Sequence, residues 1–489
     1  MMEHDMSLSR RDLMKWAASA QLIPFLGGAG RAAETMPGYR PALLPSEKEV
    51  WGWETWMAKL GPKYTGNKAH VEFVEWLAKN LSDSGLDLVR ENHKFTRWEE
   101  RRSALTITPA TGKSFAAPVT SYFPYSGQTS AEGVTGELVY CGTAPKFDMS
   151  NVKGKIALLD APISPRPWGE WYEPWGINPP DKKLPNEVHP ARSSVSDLTP
   201  FKKAGALGVV LVWTNVSDAN AQDQYAPFSR PLQDIPGLWV GHETGAKLRA
   251  LAASGAKATV TLEADLIPDT STDTLIATLP GMSSDEIIIV NTHTDGPNAT
   301  EENGGVGIVA LAKYFSKIPK AERPRTMVFI LTTGHFAGPY VPSIRGVIEQ
   351  HPDLVKKAVA AVTIEHLGCM EWTDDASLHY KASGEDDWSI AISPHKTPAK
   401  IMLEALQGSV VKNIAVCNPV KGGFLGEGSG LSRAGIPTIG YMPMPSYLLA
   451  GPKDGCIEKL NGPLMHSQIE VFAKVLHKIQ ATSAAELKA

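Results

Sequence analysis

The stretch Ile287-Ile-Ile-Val-Asn-Thr-His293-Thr-Asp295 decides the fold, because an unbroken apolar run ends there in polar and ionisable side chains. A run of this length and composition is typical of a strand that is buried on both faces. Similar runs follow along the chain at 326–332, 361–364 and 437–441. The segments between them have helical spacing, at 304–318, 355–362, 399–406 and 467–482. Strands that alternate with helices predict a parallel arrangement.

The sequence therefore predicts an α/β fold, in which a mostly parallel mixed sheet is covered by helices on both faces. Upstream, residues 45–90 have the apolar spacing of two helices, and 103–107 have that of a strand. From about 116 to 265 the character changes to short β-like runs separated by turns, at 136–140, 155–159, 209–213 and 259–262. This middle region is expected to form a β-rich unit of its own.

Composition excludes several classes of protein. The chain has 489 residues, 43% hydrophobic and 20% charged, which is enough for two or three domains with a buried core. The net charge of -4 provides no basic field for nucleic acid, so no nucleic-acid partner is expected. The four cysteines form no CxxC pair, which argues against a thiolate zinc site.

The first residues have the pattern of an export signal. Ser9-Arg10-Arg11-Asp12-Leu13 is a twin-arginine motif, and a short apolar stretch and small residues near position 30 follow it. That stretch is shorter than the ~20 residues that span a bilayer. We expect residues 1–33 to direct export through the twin-arginine pathway, giving a periplasmic or secreted protein without a stable membrane anchor.

Ionisable side chains cluster where three predicted strands end. The candidates are His293, Asp295, Glu301 and Glu302 after the first strand, His335 after the second, and Glu365 and His366 after the third. Parallel strands bring their carboxyl ends to one edge of the sheet, and ligands bind there. Imidazole and carboxylate groups from separate segments are the usual components of a metal site or an acid–base site.

Together these motifs resemble the co-catalytic zinc aminopeptidase family, which includes glutamate carboxypeptidase-like enzymes. The similarity covers about 40–115 and 270–480 and includes the "Ala-Gly-Ile-Pro" at 434–437. Between these parts, the "Gly-Lys-Ile-Ala-Leu" at 154–158 and the segment 201–210 resemble a protease-associated domain. After the export signal expected at 1–33, the resemblance implies peptidase-like parts at 34–115 and 269–489 and an inserted β-rich protease-associated domain at 116–268.

The resemblance implies that this chain retains the ligands of one of the family's two metal ions and lacks those of the other. His293, Glu302 and Glu365 occupy the positions of one set of zinc ligands, and Asp295 is expected to orient a ligand. The family's adjacent pair of glutamates is replaced by His335-Phe336, and its last histidine ligand falls near Ala450. We therefore expect one divalent metal, with zinc as the first choice, instead of two.

Three functions remain open at this point. The first is a single-metal hydrolase of an amide, peptide or ester bond, in which His335 either is the base or is a further ligand, and in the second case Glu301 or His366 moves the proton. The second is a lyase, isomerase or cyclase on the same scaffold, using His and Glu acid–base chemistry. The third is an inactive binding protein.

The substrate is expected to be a peptide or small molecule with an apolar part. Apolar side chains lie in the segments that should frame the site, namely Phe336, Phe424, Met442, Met444, Tyr447 and Leu448. A Trp- and Pro-rich segment at 164–200 has two interpretations, a loop held by its own aromatic residues or a lid over the pocket.

Overall fold

The computed structural model describes residues 36–163, 166–187, 195–421 and 423–489. The expected export signal at 1–33 lies outside these ranges. Residues 36–489 form one compact unit by their backbone contacts. Among the described helices, none has the length and apolar character needed to cross a membrane.

The N-terminal part consists of two helices and a long strand, α1 (Glu47–Ala58), α2 (Lys68–Asp83) and β1 (Asp87–Thr108). Side chains cap both helices: the Ser46 hydroxyl accepts from the Glu49 amide, and the Asn67 side chain accepts from the His70 amide. The predicted helices and the predicted strand at 103–107 are confirmed, although the strand is much longer than expected.

The middle region is rich in strands, as predicted. It contains β2 (Phe115–Ala117), β3 (Ser121–Tyr122), β4 (Val134–Thr143), β5 (Lys146–Phe147), β6 (Ile156–Pro162), β7 (Arg166–Pro167), β8 (Tyr172–Asn178), β9 (Asn186–Glu187), α3 (Thr199–Lys203), β10 (Gly208–Thr214), α4 (Asp218–Ala221), β11 (Gly237–Val240), α5 (His242–Ala253) and β12 (Lys257–Leu279). The expected domain boundary at 268 falls inside β12, which pairs with β4 at one end and with the C-terminal part at the other. The division into domains stays a prediction.

The C-terminal part alternates strands with helices. Its elements are β13 (Ser283–His293), α6 (Gly304–Ser316), β14 (Arg325–Thr332), α7 (Ile344–Gln350), α8 (Pro352–Lys357), β15 (Ala358–Ile364), β16 (Met370–Asp374), β17 (Tyr380–Asp386), β18 (Ser389–Ile392), α9 (Lys396–Leu406), β19 (Ile414–Pro419), α10 (Gly428–Arg433), β20 (Thr438–Pro443), α11 (Gly462–Ala481) and α12 (Ala484–Leu487). The predicted helix at 355–362 is wrong in its second half, because the chain enters β15 at Ala358 and pairs with β13 and β20.

One mixed sheet joins these parts in the order β3-β11-β10-β6-β4-β12-β14-β13-β15-β20-β18-β19-β8. At its centre β14, β13, β15 and β20 are parallel neighbours, so their carboxyl ends meet at one edge. Side chains of β13 alternate between the two faces: Ile288 and Val290 pack with α1, α2, α6 and α11, while Ile287 and Ile289 pack with α7 and α10. The predicted α/β architecture is confirmed.

Candidate active site

The predicted site residues lie together at the carboxyl ends of the central strands. His293 is the last residue of β13, and Glu365 and His366 directly follow β15. His335 follows β14 by three residues. Burial is nearly complete for the first three, whose exposed fraction is at most 2%, whereas the side chain of His335 keeps 19% of its surface in solvent. The site therefore opens to solvent on the His335 side.

Backbone carbonyl groups fix the orientation of two imidazoles. Nδ1 of His293 donates to the carbonyl of Asp295 at 2.9 Å, and Nδ1 of His366 donates to the carbonyl of Pro443 at 2.8 Å. In the neutral ring this arrangement leaves the lone pair on Nε2, which is the form that binds metals. Nε2 of His293 lies 3.6 Å from Oε2 of Glu365 and has no hydrogen-bond partner.

Glu365 is held in place by the chain opposite. Its Oε1 accepts from the backbone amide of Glu427 at 3.0 Å, which leaves Oε2 directed to His293. Gly426 has a φ of +68°, and a Cβ at this position would lie 2.4 Å from Oε1 of Glu365. Glycine at 426 is thus required by both the backbone conformation and the space.

His335 forms an ion pair that the sequence did not predict. Its Nδ1 lies 3.0 Å from Oε1 of Glu427, and its ring stacks on that of His293 with centroids 4.2 Å apart. Burial opposes the charged form, but the hydrogen bond to Glu427 and the charges of Glu427, Glu301 and Asp295 outweigh it, raising the pKa of His335 to about 9. The ring is therefore an imidazolium near neutral pH, so its predicted roles as base or extra ligand each require it to lose a proton first.

Glu301 bridges the two imidazoles that flank the site. Its Oε2 lies 3.1 Å from Nε2 of His366, and its Oε1 lies 3.8 Å from Nε2 of His335. Burial favours the neutral acid, but His366, His293 and His335 lower the pKa of Glu301 overall. The pKa of His366 is raised in turn, because Glu301 and Glu365 outweigh the effect of burial. Glu301 is thus held as a carboxylate.

Asp295 organises the backbone of the site, although not in the way expected. Its backbone carbonyl orients His293, whereas its carboxylate accepts from the backbone amides of His335 at 3.2 Å and Phe336 at 2.8 Å. The hydroxyl of Thr65 donates to the same carboxylate at 2.5 Å. Asp295 thereby fixes the loop that carries His335.

Glu302 lies apart from the other predicted ligands. Its Oε1 forms an ion pair with Nζ of Lys63 at 2.6 Å, and both side chains are fully buried. Two groups of side chains in the described ranges have ligand atoms close enough to share a cation, all within 4.8 Å of one another: His293, Glu365 and His366; and His293, Glu301 and His335. Glu302 belongs to neither, so the expected ligand set of His293, Glu302, Glu365 and His335 is not brought together as predicted.

The donors of the first group fit a divalent cation. Two imidazoles and one carboxylate, each oriented by a second hydrogen bond, are a common ligand set for zinc. Because Glu301 and Glu365 raise the pKa of His366, a cation at this site would displace a proton from that ring. The second group depends on His335, whose Nδ1 already pairs with Glu427. All four cysteines are buried and unpaired, and none belongs to either group.

The middle region supplies one wall of the site. Phe228 stacks on Phe336 with centroids 4.9 Å apart and lies 5.1 Å from the ring of His335. The hydroxyl of Tyr125 donates to the carbonyl of Phe336 at 2.9 Å. These contacts give the exposed side of His335 an aromatic surface.

The described part of the Trp- and Pro-rich segment that contains Trp168 and Tyr172 packs into the core. Trp168 is 1% exposed and packs with Tyr172, Met442 and Met444 in one buried cluster. β8 adds an antiparallel strand to the edge of the sheet beside β19. Of the expected framing residues, Phe336 and Leu448 belong to another core cluster, while the Tyr447 hydroxyl donates to the carbonyl of Met370 at 2.9 Å.

Sequence reasoning missed Lys63, Glu427 and Phe228. Glu427 had a signal, since it stands between two glycines a few residues before the "Ala-Gly-Ile-Pro" motif. Lys63 and Phe228 lie far from the motifs along the chain, and only the fold brings them to the site.

Comparison with known proteins supports the resemblance. No family model matches the chain. Leucine aminopeptidase 2 of Trichophyton equinum is 25% identical over 254 residues, which is 51% of this chain and 44% of the fungal protein. The protein of the same name from Trichophyton rubrum is 24% identical over the same length. The chain thus matches less than half the length of these curated relatives.

Two solved structures share the fold across most of the chain. An aminopeptidase from Aneurinibacillus sp. strain AM-1 superimposes with a TM-score of 0.57 at 16% identity, covering 88% of this chain and 93% of its own. A zinc aminopeptidase from Bacillus subtilis gives 0.58 at 15% identity, covering 91% and 98%. The chain is thus similar in part of its sequence to leucine aminopeptidases, and it shares the fold of solved aminopeptidases.

Proposed function

We propose that the chain is a metal-dependent hydrolase of a peptide or related amide bond, which uses one divalent cation, with zinc as the first choice. The observation that carries this proposal is the convergence of Nε2 of His293, Oε2 of Glu365 and Nε2 of His366. These atoms are buried, and each side chain is oriented by a separate hydrogen bond to the backbone.

A zinc ion at such a site supplies Lewis acidity toward a carbonyl oxygen and lowers the pKa of a bound water. The chain supplies the proton transfers. The imidazoles around Glu301 hold it as a buried carboxylate, which can accept a proton from the attacking water. His335 carries a proton on the solvent side of the site and can donate it from Nε2 to the leaving amine.

The roles of Glu301 and His335 follow from their different surroundings. Glu301 faces two imidazoles, at 3.1 Å and 3.8 Å, which stabilise its charge. Glu427 and Asp295 stabilise the charge of His335. Two titratable groups whose pKa values are pushed apart in this way are typical of an acid–base pair.

The partly exposed ring of Phe228 adjoins His335 and is backed by the buried ring of Phe336, so a substrate residue with an apolar side chain would pack against Phe228. The curated relatives are named leucine aminopeptidases, which agrees with an apolar residue at the cleaved bond. The twin-arginine motif at Arg10-Arg11 supports action outside the cytoplasm, on peptides in the periplasm or the medium.

The test combines metal content with activity in the full chain. We expect about one zinc per chain and hydrolysis of leucine p-nitroanilide or leucyl dipeptides that a chelator abolishes. His293→Ala and His366→Ala should each lower zinc affinity at least ~10-fold and lower kcat/KM at least ~100-fold. The matched control is His379→Ala, since the side chain of His379 is 77% exposed and lies in neither cation group.

Two results would contradict the proposal. Full activity after complete removal of metal would indicate an acid–base enzyme that needs no cation. Zinc binding at His293 and His366 with no hydrolysis of any peptide, amide or ester substrate would indicate a binding protein.

A further inference from the structure

We infer that Lys63 is a positioning residue that keeps Glu302 out of the metal site. This inference rests on the proposed function, because it concerns the metal site assigned there. Its basis is the buried ion pair between Nζ of Lys63 and Oε1 of Glu302, 2.6 Å apart with both side chains fully inaccessible to solvent.

The position of Lys63 is fixed by the backbone. Its amide donates to the carbonyl of Gly296 at 2.8 Å, and the amide of Gly296 donates back to the carbonyl of Lys63 at 3.0 Å. Nζ also donates to the carbonyl of Gly61 at 2.8 Å. Because Gly296 directly follows Asp295, this two-bond bridge ties the lysine to the same loop that carries Glu301 and Glu302.

The second oxygen of Glu302 is confined as well. A Cβ on Gly296 would lie 2.4 Å from Oε2 of Glu302, so this oxygen packs against the backbone of the loop. Glu302 is absent from both groups of described side chains that could share a cation. The two oxygens of Glu302 thus face Lys63 and Gly296.

The pair is stable in either protonation pattern. As an ammonium and a carboxylate, the two groups compensate each other's burial; as an amine and a carboxylic acid, they keep the same hydrogen bond. A fully buried lysine next to a carboxylate is costly unless the partner stays in place. In both patterns Glu302 keeps Lys63 as its partner, although the buried Glu54 also acts on the lysine.

The test is a cycle of zinc titrations on the full chain, without any activity readout. We expect Glu302→Gln to bind one zinc with an affinity within about twofold of the unchanged protein, as for a residue outside the ligand set. Lys63→Met should free the carboxylate and tighten zinc binding at least ~10-fold or add a second ion. That gain in zinc binding should vanish in the Lys63→Met/Glu302→Gln double variant. The control is Lys68→Met, at an exposed position, which should leave zinc binding unchanged.

Two outcomes would overturn the inference: loss of zinc by Glu302→Gln to the extent seen with His293→Ala, or zinc binding by a folded Lys63→Met that equals the unchanged protein. If Lys63→Met does not fold, the comparison of Glu302→Gln with His293→Ala decides alone. If His293→Ala leaves zinc binding intact, the proposed metal site itself is wrong, which is a separate failure.

Discussion

Nδ1 of His335 and Oε1 of Glu427 lie 3.0 Å apart, and the second carboxylate oxygen of Glu427 accepts from the Thr332 hydroxyl at 2.9 Å and from the Ile344 amide at 3.3 Å. Glu427 thereby connects the end of β14, the start of α7 and the imidazole that faces solvent. Glu427 stabilises the protonated form of His335, which is the proposed proton donor to the leaving amine.

Glu427→Gln should make stability depend less on pH. The pKa of His335 is raised in the folded chain to about 9 from an ordinary 6.5, so the ion pair stabilises the fold fully below pH 6.5 and ceases to do so as the pH rises through 9. We expect the substitution to lower the free energy of unfolding by about 3 kcal/mol at pH 6 and by much less at pH 9.5. Urea denaturation at both pH values measures the difference.

The control for this prediction is Glu349→Gln. Glu349 also pairs with a cation, Arg345, but its side chain is 62% exposed, so its loss should change stability by less than ~1 kcal/mol. An equal loss at pH 6 and pH 9.5 in Glu427→Gln would mean that charge on His335 does not stabilise the fold.

Trp168→Ala should destabilise the protein, because the ring fills a core site. Trp168 is 1% exposed and lies edge-on to Tyr172 and Trp388, with centroids 6.2 Å and 6.3 Å away. Truncating a buried tryptophan costs about 3–5 kcal/mol. Thermal unfolding measures this, with Trp175→Ala as a control whose side chain is 37% exposed. Unchanged stability with a raised KM would restore the interpretation of the segment as a lid.

The central strands were predictable from the sequence, because a strand that is buried on both faces appears as a nearly continuous run of apolar residues. The runs that became β13, β14 and β20 are continuous apolar segments, and each ends within two residues of its predicted end. The helix predicted to reach Val362 fails because Ala358–Ile364 is rich in alanine, which suits a helix, while its neighbours in the sheet impose a strand.

The candidate site was predictable only as far as the strand ends determine it. His293, Glu365 and His366 meet because parallel strands meet, which a sequence pattern can show. The partner of Glu302 comes from residue 63 and the partner of His335 from residue 427, separated by 239 and 92 positions along the chain. No local pattern connects such distant residues, so the charge balance of the site required the fold.

Gly426→Ala should impair the site beyond the strain of its backbone conformation. Gly426 has a φ of +68°, and an added Cβ would lie 2.4 Å from Oε1 of Glu365 and 3.0 Å from the sulfur of Met442. The carboxylate must then move, and its hydrogen bond with the Glu427 amide breaks or shifts. Gly255→Ala is the matched control, since Gly255 has a φ of +78° with nothing within 4 Å of a Cβ. Both variants should lose about 1–2 kcal/mol of stability from backbone strain, but only Gly426→Ala should also bind zinc roughly tenfold more weakly, because Glu365 is displaced as a ligand. Equal zinc affinity in the two variants would show that Glu365 does not hold the cation.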